Sequence, residues 1–229
     1  MKPIALIYGA SSTIAAAALP KLQDLGYQVW GISRSATRPD FDRWFQVASY
    51  AAINLPKIDQ PVAAMAFMPG SIQLKPFLRY RDEDFLNDME CNAFAAARCA
   101  QHALPLLKLN GTGSMVFVSS VAARLGMPFH ASISMAKSAV EGLTRALAAE
   151  LAPSVRVNAV APSLTDTALS ERLLSSPEKK EQSAQRHPLK KIGSAEDIAT
   201  IITLLMSDQT AWVTGQIWNV DGGLAHLKS

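Results

Sequence analysis

Short apolar runs closed by Gly or Pro alternate along this chain with longer stretches whose apolar residues recur at helical spacing. Runs of the first kind predict buried strands, and stretches of the second kind predict amphipathic helices. Residues 3–8 (PIALIY) form the first strand and end at Gly9. Residues 12–25 predict a helix: Ser11 or Ser12 caps it, Ile14, Ala18, Leu22 and Leu25 share one face, and Gly26 stops it. Further strands are expected at 28–33 (QVWGIS), 45–50 (FQVASY) and 61–67 (PVAAMAF), although 34–60 is too short to add full helices around the middle one. A long helix follows from Asp82 to Leu109, and Pro105 inside it should kink or shorten it. The apolar run Met115–Val118 is a strand, Ala131–Leu151 a helix closed by Pro153, and 154–161 (SVRVNAVA) another strand. Residues 163–192 are polar, carry Pro177 and Pro188, and read as a mobile lid over the strand ends. Ser194 opens a Ser-x-x-Asp cap before a helix over 195–206, and 216–220 (QIWNV) is the last strand.

Strand and helix alternate from end to end, and no repeat, low-complexity tract or linker divides the chain. That order predicts an α/β fold, a single doubly wound parallel sheet with helices on both faces, in one domain over 1–229. Hydrophobic residues make up 49% of the chain and charged residues 18%, enough apolar surface for a large core. A net charge of +3 with no Lys/Arg run longer than two residues argues against nucleic acid or a membrane surface as partner. The opening apolar run is too short for a signal-peptide core, and no stretch approaches the ~18 apolar residues of a membrane span. A cytoplasmic location is therefore expected. Cys91 and Cys99 lie on one predicted helix with no CxxC pairing, so buried thiols are expected, without disulfide or metal.

Chemistry gathers in residues 113–137, GSMVFVSSVAARLGMPFHASISMAK. A strand ends in Ser119-Ser120, a loop follows, and a helix opens carrying Lys137, the arrangement by which an open α/β sheet builds a site at its carboxyl edge. This layout resembles the short-chain dehydrogenase/reductase family. Other segments carry the same resemblance over residues 3–224: the turn Gly9-Ala10-Ser11-Ser12-Thr13-Ile14-Ala15, Asn92 on its helix, Arg156 to Ser163 with Pro162 and then Thr167, and Gly215-Gln216 through Gly223. The resemblance implies a nicotinamide dinucleotide, a catalytic set of Ser120, Lys137 and Asn92, cofactor contacts at Gly9, Ser11, Ser12, Thr13, Ile14, Lys137, Pro162 and Thr167, and a homodimer or homotetramer.

The departures are as informative. The family's active-site Tyr position holds Ile133, which cannot give a proton. The second and third glycines of the turn are Thr13 and Ala15, which crowd the closest approach of a pyrophosphate. The family's Asn-Asn-Ala-Gly is Phe67-Met68-Pro69-Gly70, and no acid lies between Arg43 and Ile58 to contact adenine. At the end of the second strand, Ser33-Arg34 replaces the acid of NAD-selective members. A hydroxyl and a planar fork of donors suit a 2′-phosphate, so NADP(H) is favoured over NAD(H).

Carbonyl reduction by hydride needs a proton donor and a group to polarise the carbonyl. With Ile133 in place, the candidate donors are His130, the flanking Ser132 and Ser134 through water, and Lys137 itself if burial lowers its pKa. Tyr8 is the one tyrosine expected near a cofactor edge. Three function classes follow. The first is an NADP(H)-dependent oxidoreductase acting on a small, fairly apolar carbonyl or alcohol with a non-Tyr proton donor. The second is a silent relative that binds a nucleotide or partners an active subunit, and the third is a lyase or isomerase on the same scaffold. Retention of Ser120, Lys137 and Asn92 together favours the first.

Overall fold

The computed structural model describes residues 2–36 and 40–228. Elements in chain order are β1 (Ile4–Tyr8), α1 (Thr13–Asp24), β2 (Gln28–Ser33), β3 (Arg43–Gln46), β4 (Ala64–Phe67), α2 (Asp82–Met89), α3 (Ala95–Leu109) and β5 (Gly113–Val118). They continue with α4 (Ala131–Leu151), β6 (Val155–Pro162), β7 (Thr165–Asp166), α5 (Pro177–Gln185), β8 (Gly193–Ser194), α6 (Ala195–Met206) and β9 (Ile217–Val220). Seven strands form one parallel sheet in the order β3-β2-β1-β4-β5-β6-β9. The order reverses between β1 and β4, which opens a crevice at the carboxyl ends of those strands.

Strand parity divides the core. Ile4, Leu6 and Tyr8 point to the face covered by α3 and α4, and Ala5 and Ile7 point to the face covered by α1 and α6. Both layers are apolar because a parallel sheet is buried on both sides. Tyr8 is therefore a core residue, and its hydroxyl meets His102 Nδ1 at 2.6 Å. Its expected place at a cofactor edge does not occur.

Two elements differ from expectation. The third strand is Arg43–Gln46, earlier than 45–50. Asp42 starts it by accepting the Val29 N–H at 2.8 Å, and Trp44 packs so closely on Gly31 that a Cβ there would lie 2.7 Å from its ring. Of the segment 34–60, residues 37–39 lie outside the described residues, and the rest adds only a 3₁₀ turn at Ala52–Asn54. The helix expected over 82–109 is interrupted by a π-helical turn at Glu90–Phe94, while Pro105 is carried inside α3 without ending it. At the interruption a side chain enters the hydrogen-bond ladder: Asn92 Nδ2 donates to the Asp88 carbonyl at 2.8 Å. The carbonyl that Pro105 cannot bond belongs to exposed Gln101, where water can replace it.

Residues 163–192 form a covering segment joined to the body by β7 and β8, which pair in parallel. Ser194 and Asp197 complete the expected cap reciprocally: Asp197 N donates to Ser194 Oγ at 3.1 Å and Ser194 N to Asp197 Oδ2 at 3.0 Å. No described helix is long and apolar enough to cross a membrane.

Candidate active site

A cavity of about 350 Å³ opens at the carboxyl edge of the sheet. Its floor is the end of β5, one side is the start of α4, and the segment after β6 forms the opposite wall. Ser120, His130, Ile133, Lys137, Ile14, Pro162 and Thr167 all line it. The surroundings are mostly apolar, with Leu74, Leu169, Leu173 and Leu224 among them.

Ser120 leaves β5 in extended conformation and accepts the Ala122 N–H at 3.2 Å, which keeps its own proton available. Lys137 lies two turns into α4 and is 5% exposed; its Nζ donates to the Val118 carbonyl at 2.8 Å. Burial disfavours the ammonium and lowers its pKa from 10.5 to about 8, with Cys91 and Asp88 nearby opposing part of that fall. Ile133, one turn earlier, puts an alkyl group in the cavity wall.

Asn92 is fully buried behind this wall rather than in it. Its Nδ2 donates to Ser71 Oγ at 2.9 Å as well as to the Asp88 carbonyl, and Ser71 Oγ donates to Asp88 Oδ1 at 2.6 Å. Asn92 Oδ1 and Asp88 Oδ2 have no partner among the described residues. Gly70 makes room for the arrangement: a Cβ there would lie 3.4 Å from Lys137 Nζ and 3.5 Å from Asn92 Oδ1. Asp88 and Ser71 were not anticipated from the sequence. The one available signal was the spacing of Asp88 and Asn92, which puts both on one helical face.

The candidate proton donors separate. His130 is the N-cap of α4, and its Nδ1 hydrogen-bonds the Pro128 carbonyl at 2.7 Å; because a carbonyl only accepts, Nδ1 is the donor, and Nε2 has no partner among the described residues. Ser132 and Ser134 do not line the cavity: their hydroxyls donate to the Asp84 carbonyl at 3.3 Å and the Ala122 carbonyl at 2.7 Å. The relay role considered for those two serines is therefore not supported, because helix geometry turns them toward backbone acceptors.

The remaining predicted contacts lie along the β1–α1 turn and the end of β2, outside the cavity lining. Gly9 has φ +79°, and a Cβ there would come within 2.8 Å of Pro69, so glycine is required. Ser12 caps α1 through the Ala15 N–H at 3.1 Å. The N–H groups of Ser11, Thr13 and Ile14 have no partner among the described residues, which is the donor set a phosphate takes at a helix start. Thr13 Oγ1 accepts the Ala168 N–H at 3.3 Å and so ties the turn to the covering segment. Ser33 is buried and donates to Ser11 Oγ at 2.9 Å; it braces the turn instead of facing a ligand, because its strand position points inward. Arg34 is exposed beside it and makes no ion pair with a described residue.

Comparison with known proteins gives the family and the fold. The family model adh_short_C2, described as Enoyl-(Acyl carrier protein) reductase, matches residues 39–225. The chain belongs to the short-chain dehydrogenase/reductase family. It is 31% identical to a tropinone reductase homolog of Arabidopsis thaliana over 96% of this chain and 92% of that protein. Two further Arabidopsis homologs are matched over 66% and 59% of their own length. A short-chain type dehydrogenase/reductase from Mycobacterium ulcerans superposes with a TM-score of 0.87 at 26% identity, covering 97% of this chain and 90% of that one. The structure of ElxO with NADP bound has the same fold, with a TM-score of 0.88 at 21% identity over 99% of this chain and 100% of that one. A short-chain dehydrogenase fold accounts for the seven parallel strands and for a site at their carboxyl edge.

The dinucleotide such a fold implies is compatible with the residues present in two places, the free N–H groups of the β1–α1 turn and the guanidinium of Arg34. Among the described residues, no group of three His, Cys, Asp or Glu side chains has the disposition to hold a metal ion. Cys91 and Cys99 are free thiols, and burial raises the pKa of both.

Proposed function

We propose that this protein is an NADP(H)-dependent oxidoreductase acting on a small, apolar carbonyl or alcohol. The observation that carries the reading is that Ser120 and the buried Lys137 face one largely apolar cavity at the carboxyl edge of the sheet. The nicotinamide, when bound, supplies or accepts the hydride. Ser120 donates its free hydroxyl proton to the substrate oxygen and polarises the carbonyl. Lys137 holds positive charge beside that oxygen in a site with little water, where a charge acts strongly. His130, with Nδ1 held by Pro128, presents Nε2, which in the imidazolium form gives the proton that Ile133 cannot. Arg34, exposed and free of a carboxylate partner among the described residues, takes a 2′-phosphate through its planar donors.

Calorimetric titration with NADPH and with NADH tests the proposal. Micromolar NADPH binding, weaker NADH binding, and a drop of about tenfold or more for NADPH alone in Arg34→Ala are expected, the scale of one charge-assisted contact. Absence of binding by the folded protein refutes the oxidoreductase reading. A second reading, a ligand-binding relative without catalysis, is favoured by Ile133 at the acid position and by the bond between Thr13 and Ala168 across the turn. It predicts NADPH binding with no turnover of any carbonyl tested. Self-association is proposed as well, through the α3–α4 face where Phe94 and Met135 are 45% and 57% exposed. Sedimentation equilibrium decides that point.

A further inference from the structure

The wall opposite Lys137 contains a second reactive arrangement. Ser163 stands directly after β6, where the family's Pro-Gly pattern has no side chain. Its Oγ lies 2.9 Å from His187 Nε2. His187 is 3% exposed, and its Nδ1 lies 2.9 Å from the Ser183 carbonyl. A carbonyl only accepts, so Nδ1 carries the imidazole proton, Nε2 presents its lone pair, and the Ser163 hydroxyl donates to it. This is the tautomer and orientation a serine nucleophile requires of its general base, with a backbone carbonyl in the orienting role. Ser163, Leu164 and His187 line both the cavity already described and a second one of about 400 Å³, so the pair stands in the partition between two spaces. The backbone N–H of Leu164, the residue after the serine, has no hydrogen-bond partner among the described residues. A free N–H in that position is where a strand-end nucleophile finds an oxyanion donor.

We infer that Ser163 and His187 form a nucleophilic dyad able to cleave small esters with an apolar acyl chain. Ser163 Oγ attacks the acyl carbon and forms a C–O bond while His187 Nε2 takes its proton. The oxyanion meets the Leu164 N–H. As the tetrahedral adduct collapses, the bond to the leaving oxygen breaks and the imidazolium proton passes to that oxygen, releasing the alcohol. Water then attacks the acyl-serine and gives a proton to Nε2, which returns it to Ser163 Oγ as the carboxylic acid leaves. The net reaction is ester plus water to acid plus alcohol. Leu164, Leu169, Leu173 and Leu224 give the acyl chain an apolar wall.

The test uses the full chain with a short-alkyl fluorophosphonate, located by tandem mass spectrometry, and with p-nitrophenyl butyrate. One phosphonyl adduct on Ser163 is expected, and His187→Gln should slow its formation by about 100-fold, the low end of general-base contributions. Ester hydrolysis should vanish in Ser163→Ala. A cooperatively melting wild-type protein with no adduct on Ser163, or equal labelling rates with and without His187, overturns the inference. Because His187 is buried and its replacement can unfold the chain, Ser163→Ala provides an independent criterion: unchanged ester hydrolysis in that variant also overturns it. No dinucleotide enters either measurement, so failure of NADPH binding leaves this inference standing.

Discussion

Replacing Lys137 with Met tests whether the cavity wall is as dry as its geometry indicates. The ammonium is almost completely removed from solvent and has one backbone acceptor, Val118 O at 2.8 Å. Burial takes its pKa from 10.5 to about 8. Between those values the unfolded chain still holds a proton that the folded chain has released, so raising the pH through the window stabilises the fold. At about 1.4 kcal/mol per pH unit, the full window is worth roughly 3 kcal/mol, of which about 2 is gained between pH 7 and pH 10. Met matches the length of the side chain and removes the titration. The sign of the difference at pH 7 is not the criterion, because the lost bond to Val118 O offsets ~1–3 kcal/mol of relieved burial. Urea unfolding of both proteins from pH 7 to pH 10 cancels the other titrating groups they share. The stability of wild type relative to Lys137→Met should climb by about 2 kcal/mol across that range. A flat difference would mean that Lys137 keeps its ordinary pKa and that water reaches Nζ.

Two further perturbations follow from the site. Gly9→Ala forces a Cβ to within 2.8 Å of Pro69 at φ +79°, so a loss of about 1–3 kcal/mol in denaturant unfolding is expected. Stability unchanged within 0.5 kcal/mol would show that the turn is not held as described. Asn92→Ala leaves Ser71 and the Asp88 carbonyl without their shared donor, and a loss of about 1–3 kcal/mol should accompany loss of amide-exchange protection across Glu90–Phe94. Retained protection would separate the π-helical turn from that side chain.

The parts of the fold legible in the sequence are those governed by local pattern. Ala131–Leu151 occurs with the boundaries its period predicts, since a long amphipathic run before Pro153 has few alternatives. Ser194 caps α6 because a Ser-x-x-Asp pair satisfies two helix N–H groups without outside help. The misses came where a side chain's partner is remote or its competition with the backbone is silent in the pattern. Asn92 bonds the Asp88 carbonyl where the helix changes pitch, which no propensity reports. Trp44 sets β3 through contact with Gly31 on the neighbouring strand. Tyr8 lies at a strand end in sequence but on the core side by parity, and Ser33, expected to meet a 2′-phosphate, gives its hydroxyl to Ser11 in the β1–α1 turn.

The family resemblance singled out Ser120 and Lys137 as candidates and aligned Ile133 with the family's tyrosine, because strand end, loop and helix register are short-range properties. What surrounds those residues was decided by packing. The low pKa of Lys137 comes from burial against elements distant in sequence, and Asp88 reaches the site through Ser71, 17 residues away. Ser163 and His187, 24 residues apart, meet because β7 and β8 bring the covering segment back onto the end of β6. A linear pattern records which groups a chain possesses. The desolvation and proximity that make those groups reactive exist only once the sheet and its covering segment have closed around them.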